Sequence, residues 1–278
     1  MKVIIVIIAS NDMVHENDLQ TQFKTWISNC PRDIRVIVLR GWENNFYKFE
    51  NNVLFVPCHE EYLLILKKTI LGIKYILENL DFDILIRTNV STYYEPKKLL
   101  LELNQTRYKK DFAGGYVDRS SQKVFNARNS FEYISGTGIF LSKNVAKIVS
   151  ELDPESYNNI FDDIAISHHL QKQNVQIIRL PRNNMHSTHF FIPTFHIRMK
   201  NSFNPMTASV RMKLVHDFFQ SKKFYQKLCI YLKICSNEFT EYINSRESFQ
   251  LYYLRNRVVI NSFIKLKKQR MFQTKLQI

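Results

Sequence analysis

Lys2–Ser10 carries an unbroken β-branched run, VIIVII, which predicts a strand covered on both faces. Ile34–Leu39 (IRVIVL), Val53–Val56 (VLFV) and Phe82–Arg87 (FDILIR) repeat that character. Between them the period lengthens. Asp18–Cys30 places Leu19, Phe23, Trp26 and Ile27 on one helical face, and Pro31 stops it. Glu60–Leu80 is a long amphipathic helix with apolar residues at i, i+3, i+4 and i+7. Strands alternating with helices predict an α/β fold with a mostly parallel sheet. The pattern then shifts. Phe112–Val117, Gly138–Leu141 and Val175–Leu180 read as strands, with helices over Lys143–Leu152 and Asp162–Gln173. Residues 186–205 read as a loop bearing His186, His189 and His196, and from Met206 onward the chain reads as basic helices rich in Phe and Tyr. The simplest division is an α/β core over residues 1–205, with halves of about 1–110 and 111–205, and a helical extension over 206–278.

The 278 residues suffice for a sizeable core, and 45% apolar residues exclude extended disorder for most of the chain. Six glycines argue against glycine-rich phosphate loops. The four cysteines (Cys30, Cys58, Cys229 and Cys235) form no CxxC pair and are expected as reduced thiols in a cytosol-like compartment. No segment is apolar for long enough to span a bilayer, and MKVIIVIIASND reads as a first buried strand rather than a signal peptide. The net charge of +14 is uneven. Residues 201–278 hold 14 basic and 4 acidic side chains, and the last thirty residues hold seven basic and none acidic. Such a run is either a solvated helix face or an attraction to a polyanion, an anionic membrane surface or nucleic acid.

Open α/β sheets bind ligands beyond the carboxyl ends of their strands. Those ends are Ser10-Asn11, Arg40-Gly41, Pro57-Cys58 and the polar segment Arg87-Thr-Asn-Val-Ser-Thr-Tyr-Tyr-Glu-Pro. A capped strand-to-helix loop would share this last pattern. Asp162-Asp163 opens a helix, where carboxylates are favoured by the free N–H groups and the helix dipole. Ser135-Gly-Thr-Gly138 holds two of the six glycines, suited to a tight turn or to close backbone approach to a ligand. His168 and His169 lack the convergent partners that a metal site needs.

Four blocks together resemble the Fringe and β1,3-galactosyltransferase-like glycosyltransferases, over about residues 55–178. DFDILIRTNVSTYYEPKKLL is similar to their strand and metal loop. EEYLLILKKTILGIKYI matches their helix at Tyr62, Lys68 and Thr69. FAGGYV with YISGTGIFLSKNVAKIV resembles their Ser-Gly-Gly-Gly-Tyr-Leu-Ser segment, and FDDIAISHHLQKQNV their acidic helix start. The resemblance implies a GT-A type fold, a Rossmann-like mixed sheet flanked by helices, with a nucleotide-binding and an acceptor half. It implies transfer of a hexosyl or N-acetylhexosaminyl group, with inversion, from a UDP-linked sugar to a glycan or glycolipid hydroxyl. Asp163, beside Asp162, matches the family's catalytic base, and an adjacent carboxylate raises a base's pKa. Gly136, Thr137 and Gly138 fall on the acceptor side. Arg87, Ser10, Arg40 and Lys68 are donor-site candidates by position.

The family's metal-binding acidic triplet falls on Asn89-Val90-Ser91, which offers neutral oxygens where Mn²⁺ favours carboxylates. The literal DxD, Asp81-Phe-Asp83, sits at the wrong end of its strand. Either the metal is held weakly there or protein cations replace it, and activity is expected to depend little on a divalent metal. In an extended Phe195–Lys200, His196, Arg198 and Lys200 face one side and would surround a departing diphosphate. Two other classes remain open at this stage: an inactive nucleotide- or glycan-binding homologue, suggested by the lost triplet, and a nucleic-acid-binding protein, suggested by the basic tail but less favoured. The expected setting is cytoplasmic, with the tail on an anionic membrane.

Overall fold

A computed structural model describes residues 1–105, 111–120, 131–184, 194–199, 208–221, 226, 227 and 230. The chain divides into two units, one of Met1–Arg182 with Thr194–Arg198 and the other of Asn183–Pro193 with Met199–Ile278.

In the first unit β1 (Val3–Ile8) is buried along its whole length, as its uniform β-branching requires. Helix α1 (Met13–Lys24) follows. It starts earlier than periodicity suggested, because the Asp12 side chain accepts the His15 N–H and caps it; Trp26 and Ile27 fall beyond its end. Next come β2 (Ile34–Trp42), β3 (Lys48–Glu50), β4 (Val53–Pro57), α2 (Ile65–Asn79), β5 (Ile84–Asn89), the short β6 (Thr92–Tyr94) and α3 (Pro96–Leu103). The rest of this unit contains β7 (Ala113–Ser120), β8 (Phe131–Ser142), α4 (Lys143–Ser150), α5 (Asp162–Lys172) and β9 (Ile177–Arg179). The second unit contributes β10 (Asn183–Asn184) and α6 (Ala208–Gln220), and β11 (His196–Arg198) returns to the first.

The main sheet has the order β3-β4-β2-β1-β5-β8-β7-β9. Strands β4, β2, β1 and β5 run parallel, whereas β8 is antiparallel to both β5 and β7. The core therefore switches from parallel to antiparallel pairing between β5 and β8. Ile4, Val6 and Ile8 pack with Leu66, Ile70, Ile73 and Ile76 of α2 and with apolar residues of α4 and α5 in one continuous cluster. Parallel strands β1, β2, β4 and β5 all end on the same edge, which gathers Ser10, Arg40, Cys58 and Asn89 at one pole.

No helix among the described residues is long and apolar enough to cross a membrane. Cys30 and Cys58 are free thiols, and burial pushes the Cys30 pKa up to about 12. Cys229, Cys235, His186, His189, Lys200 and the basic run 249–278 lie outside the described residues.

Candidate active site

Strand β8 carries the centre of the site. Its ladder with β7 pairs Gly115 with Ile139 but Val117 with Ile134, so residues 135–138 bulge out of register. A bulge frees backbone groups that a ladder would consume, and re-aims them. Here they bind side chains from four other elements, β5, β6, β11 and α5. The Gly136 N–H donates to Asp163 Oδ2 at 2.9 Å, and the Gly136 carbonyl accepts from Arg87 Nη1. The Thr137 carbonyl is approached by Thr88 Oγ1 at 2.6 Å, Tyr94 Oη at 3.1 Å, Thr92 Oγ1 at 3.2 Å and His196 Nε2 at 3.2 Å. Ser135 Oγ and Thr137 Oγ1 accept from Arg182 Nη1 at 2.7 and 3.0 Å.

The two glycines are needed for contact rather than for a left-handed backbone. A Cβ on Gly136 would stand 2.7 Å from Arg87 Nη1 and 3.2 Å from Asp163 Oδ2. One on Gly138 would stand 2.8 Å from both His196 Cε1 and Tyr94 Oη.

Asp162 and Asp163 are the first two residues of α5, where unpaired backbone N–H groups and the dipole favour carboxylates by about 0.3–1 kcal/mol each. They diverge in environment. Asp162 Oδ2 lies 2.5 Å from Arg87 Nη2, a buried charge pair without the alignment of a hydrogen bond. Asp163 has no cation at contact distance among the described residues. Burial pushes its pKa up to about 6, helped by the neighbouring Asp162, while the Gly136 N–H and Arg87 hold it from rising further. A largely buried carboxylate poised near neutral pH is suited to proton abstraction. Tyr62 lies beside it: burial raises the phenol's pKa, and Asp162 and Asp163 raise it further.

The segment after β5 folds into a turn closed on itself. Asn89 Oδ1 accepts from Thr92 Oγ1 at 2.8 Å, Ser91 Oγ at 3.1 Å and the Ser91 N–H at 3.2 Å. Gln22 Nε2 fastens the turn from α1 by donating to the Asn89 and Thr92 carbonyls. The turn's one amide oxygen is thus saturated, and Ser91 is buried. Among the described residues no three His, Cys, Asp or Glu side chains converge as a metal site. This donor set does not fit a divalent cation. The polar loop also contains a strand that periodicity did not show: β6 pairs antiparallel with β11, setting Arg198 opposite Thr92 and His196 opposite Tyr94. Arg198 consequently stands next to the Asn89–Ser91 turn.

One expected role is corrected by burial. His196 is fully buried, stacked on Tyr94 with ring centroids 5.1 Å apart, and bonded to the Thr137 carbonyl. Burial first, and Arg182 second, pull its pKa down to about 3, so it is uncharged and cannot serve as a diphosphate-facing cation. It holds the bulge in place instead. Lys68 is likewise buried; Nζ donates to the Ala9 carbonyl at 2.9 Å and pairs with Glu60 at 2.6 Å, while Glu60 accepts the Gly41 N–H. This network ties α2 to the ends of β1 and β2 behind the pole rather than at its surface. Arg40 reaches Asn11 at 2.6 Å and Glu16 at 2.5 Å, and Ser10 bonds Asp12 and His15, so both stay at the rim. Asp81 pairs with Lys2 at 2.5 Å and Asp83 accepts the Lys2 N–H at 2.6 Å, at the amino end of β5. A cleft of about 400 Å³ lined by Phe82, Asp83, Asp111 and Lys143 belongs to that opposite pole, away from Asp163.

Sequence reasoning did not single out Arg182, Glu60, Tyr94 or Gln22. Arg182 follows Pro181 outside any periodic element, and nothing local marks it. Its guanidinium lies 3.8 Å over the Tyr116 ring and is buried, and burial, then Arg198, lower its pKa to about 10.

No family model matches the sequence, and no curated protein matches it. Solved structures do. A glycosyltransferase involved in the glycosylation of the major capsid of PBCV-1 aligns over 77% of this chain and 100% of its own, with a TM-score of 0.51 at 9% identity. The galactosyltransferase LgtC, solved in complex with donor and acceptor sugar analogs, aligns over 81% of this chain and 99% of its own, with a TM-score of 0.49 at 14% identity. With the eight-stranded mixed sheet flanked by helices, this likeness makes the architecture of the chain that of the GT-A type glycosyltransferases.

Proposed function

We propose that the chain is an inverting glycosyltransferase that moves a hexosyl or N-acetylhexosaminyl group from a UDP-linked sugar to a hydroxyl of a glycan or glycolipid acceptor. The observation that carries this reading is Asp163: a carboxylate at the start of α5, pushed up to about 6, held by the Gly136 N–H at the carboxyl-end pole of the sheet. The motif resemblance to the Fringe and β1,3-galactosyltransferase-like enzymes and the shared architecture favour the same chemistry.

In this reading Asp163 takes the proton of the acceptor hydroxyl as that oxygen attacks the anomeric carbon from the face opposite the nucleoside diphosphate. The neighbouring Asp162 is neutralised by Arg87, so the second charge does not repel an anionic donor. The turn Asn89–Ser91 lies under the diphosphate and ribose. Arg198, opposite Thr92, supplies positive charge to the departing diphosphate, with Lys200 two residues on. Preorganised cations aimed at developing charge stabilise a transition state without solvent reorganisation. No step is assigned to a metal, because the turn's oxygen is already saturated by its own donors. Ser10 and Arg40 face the nucleoside from the rim, and Lys68 positions the strand ends.

The test is turnover across a panel of nucleotide sugars with the wild type and Asp163→Asn, alongside UDP affinity by calorimetry. The variant is expected to bind UDP within about twofold while transfer falls by at least roughly a hundredfold, the ordinary contribution of a positioned base. Turnover retained within a few fold would exclude Asp163 as the base.

A further inference from the structure

Arg182 has contacts that no step above uses. Its Nη1 donates only to neutral hydroxyls, Ser135 Oγ and Thr137 Oγ1, and its Nε has no partner among the described residues. No carboxylate among the described residues reaches it at ion-pair distance, although the side chain is buried. A buried cation without a counter-charge is costly, and hydroxyls and a ring face offset only part of that cost. The charge that acts on it most strongly makes matters worse. Arg182 bonds Thr137 Oγ1 while His196 bonds the Thr137 carbonyl, and Arg198 projects from β11 two residues beyond His196. Arg198 likewise has no carboxylate partner among the described residues, and its charge depresses the pKa of Arg182. Asp118 offsets the charge of Arg182 only from beyond ion-pair distance. Two guanidinium groups without a contacting acid among the described residues form a site complementary to an anion, and a guanidinium fork grips carboxylate or phosphate through paired N–H donors.

Position relative to Asp163 indicates what carries the anion. Arg182 is fastened to residues 135 and 137, and Asp163 to residue 136 between them. Base and guanidinium therefore stand on either side of one bulge residue. Tyr133, on the same strand, feels the charges of both: burial raises its pKa, Asp163 and Asp118 raise it further, and Arg198 and Arg182 oppose the rise. Arg182 and Asp163 belong to the part of the first unit that carries β7, β8, α5 and the segment after β9, whereas Arg198 stands on β11 next to the turn after β5 that the donor is expected to occupy.

We propose that Arg182 binds an anionic group, a carboxylate or a phosphate, carried by the acceptor sugar whose hydroxyl lies on Asp163, with Arg198 shared between that anion and the departing diphosphate. The assignment to the acceptor rests on the glycosyltransferase reading; the existence of the anion site does not. The acceptor class is thus an acidic or phosphorylated glycan rather than a neutral one.

The experiment is an NMR titration of the full ¹⁵N-labelled chain with three probes, D-glucose, D-glucuronate and D-glucose 6-phosphate, for wild type, Arg182→Gln and Arg182→Lys. A charge-assisted pair of hydrogen bonds is expected to make one or both anions bind roughly ten- to a hundredfold tighter than glucose in the wild type. Which of the two gains separates carboxylate from phosphate. Arg182→Gln is expected to abolish the preference, and Arg182→Lys to restore part of it, while UDP affinity stays within about twofold. Equal affinity of the three sugars in the wild type overturns the proposal without recourse to any variant. A preference that survives in folded Arg182→Gln also overturns it. If UDP displaces the anionic sugar and itself weakens in Arg182→Gln, the pair serves the donor's phosphates and the acceptor assignment falls. Because the readout is binding, absence of donor turnover in the wild type would remove the transferase reading and leave the anion site to be judged on these titrations.

Discussion

Replacing Asp163 by Asn sets stability against activity, and the sign of the stability effect changes with pH. The ordinary carboxylate value is 3.8, and burial with the neighbouring Asp162 pushes Asp163 up to about 6. The folded state therefore binds this proton more tightly than the unfolded chain does. Below about pH 4 the group is protonated in both states and carries no penalty. Between about pH 4 and 6 the unfolded chain loses its proton first, so stability falls as pH rises; above about pH 6 the penalty is complete. A rise from 3.8 to about 6 corresponds to about 3 kcal/mol at 1.36 kcal/mol per pH unit. Asn removes the charge but replaces one accepting oxygen with an N–H₂, and Asp163 accepts from both Gly136 and Ile164. Losing one such bond costs about 1 kcal/mol, leaving a net gain of about 1–2 kcal/mol at pH 7.5. Urea unfolding of wild type and Asp163→Asn from pH 3.5 to 8 reads this directly. The variant is expected to be the less stable protein at pH 3.5 and the more stable one at pH 7.5. A difference that does not change with pH would show that Asp163 titrates like an ordinary surface acid, and the argument for it as a base would lose its physical support.

Donor turnover is expected to persist in EDTA, because the Asn89–Ser91 turn has no free carboxylate to hold a metal; loss of activity in EDTA that Mn²⁺ restores refutes this. Gly138→Ala would press a methyl group against buried His196 and Tyr94 and is expected to cost about 1–3 kcal/mol in urea unfolding, whereas wild-type stability in the variant would contradict the packing described here. The seven unopposed basic residues of 249–278 are expected to draw the chain to anionic vesicles, with binding weakened by added salt and by deletion of that segment. An intact chain that ignores such vesicles at low salt would remove the membrane from its partners.

Much of the fold is written in local pattern. Continuous β-branched runs mark β1, β2, β4 and β5 because strands buried on both faces admit few polar side chains. The helical period marks α2 because one stripe must meet the sheet. Strand ends then indicate the binding pole, and Asp162-Asp163 is conspicuous because carboxylates gather where a helix begins. Helix ends were less legible: α1 starts at Met13 because one side chain, Asp12, satisfies an N–H, a contact that average hydrophobicity does not register. The site's central device was not legible at all. Ser135–Gly138 reads as a glycine turn, but it is a bulge whose freed amide and carbonyls exist only because β7 pairs on either side of it in two registers. The pairing of Arg87 with Asp162, the meeting of β6 with β11, the burial of His196 and the bonds of Arg182 to Ser135 and Thr137 all join segments far apart in the chain. Periodicity reports whether a position faces core or solvent. Which positions face one another is set by strand order and register, and those are fixed only when the whole sheet has assembled.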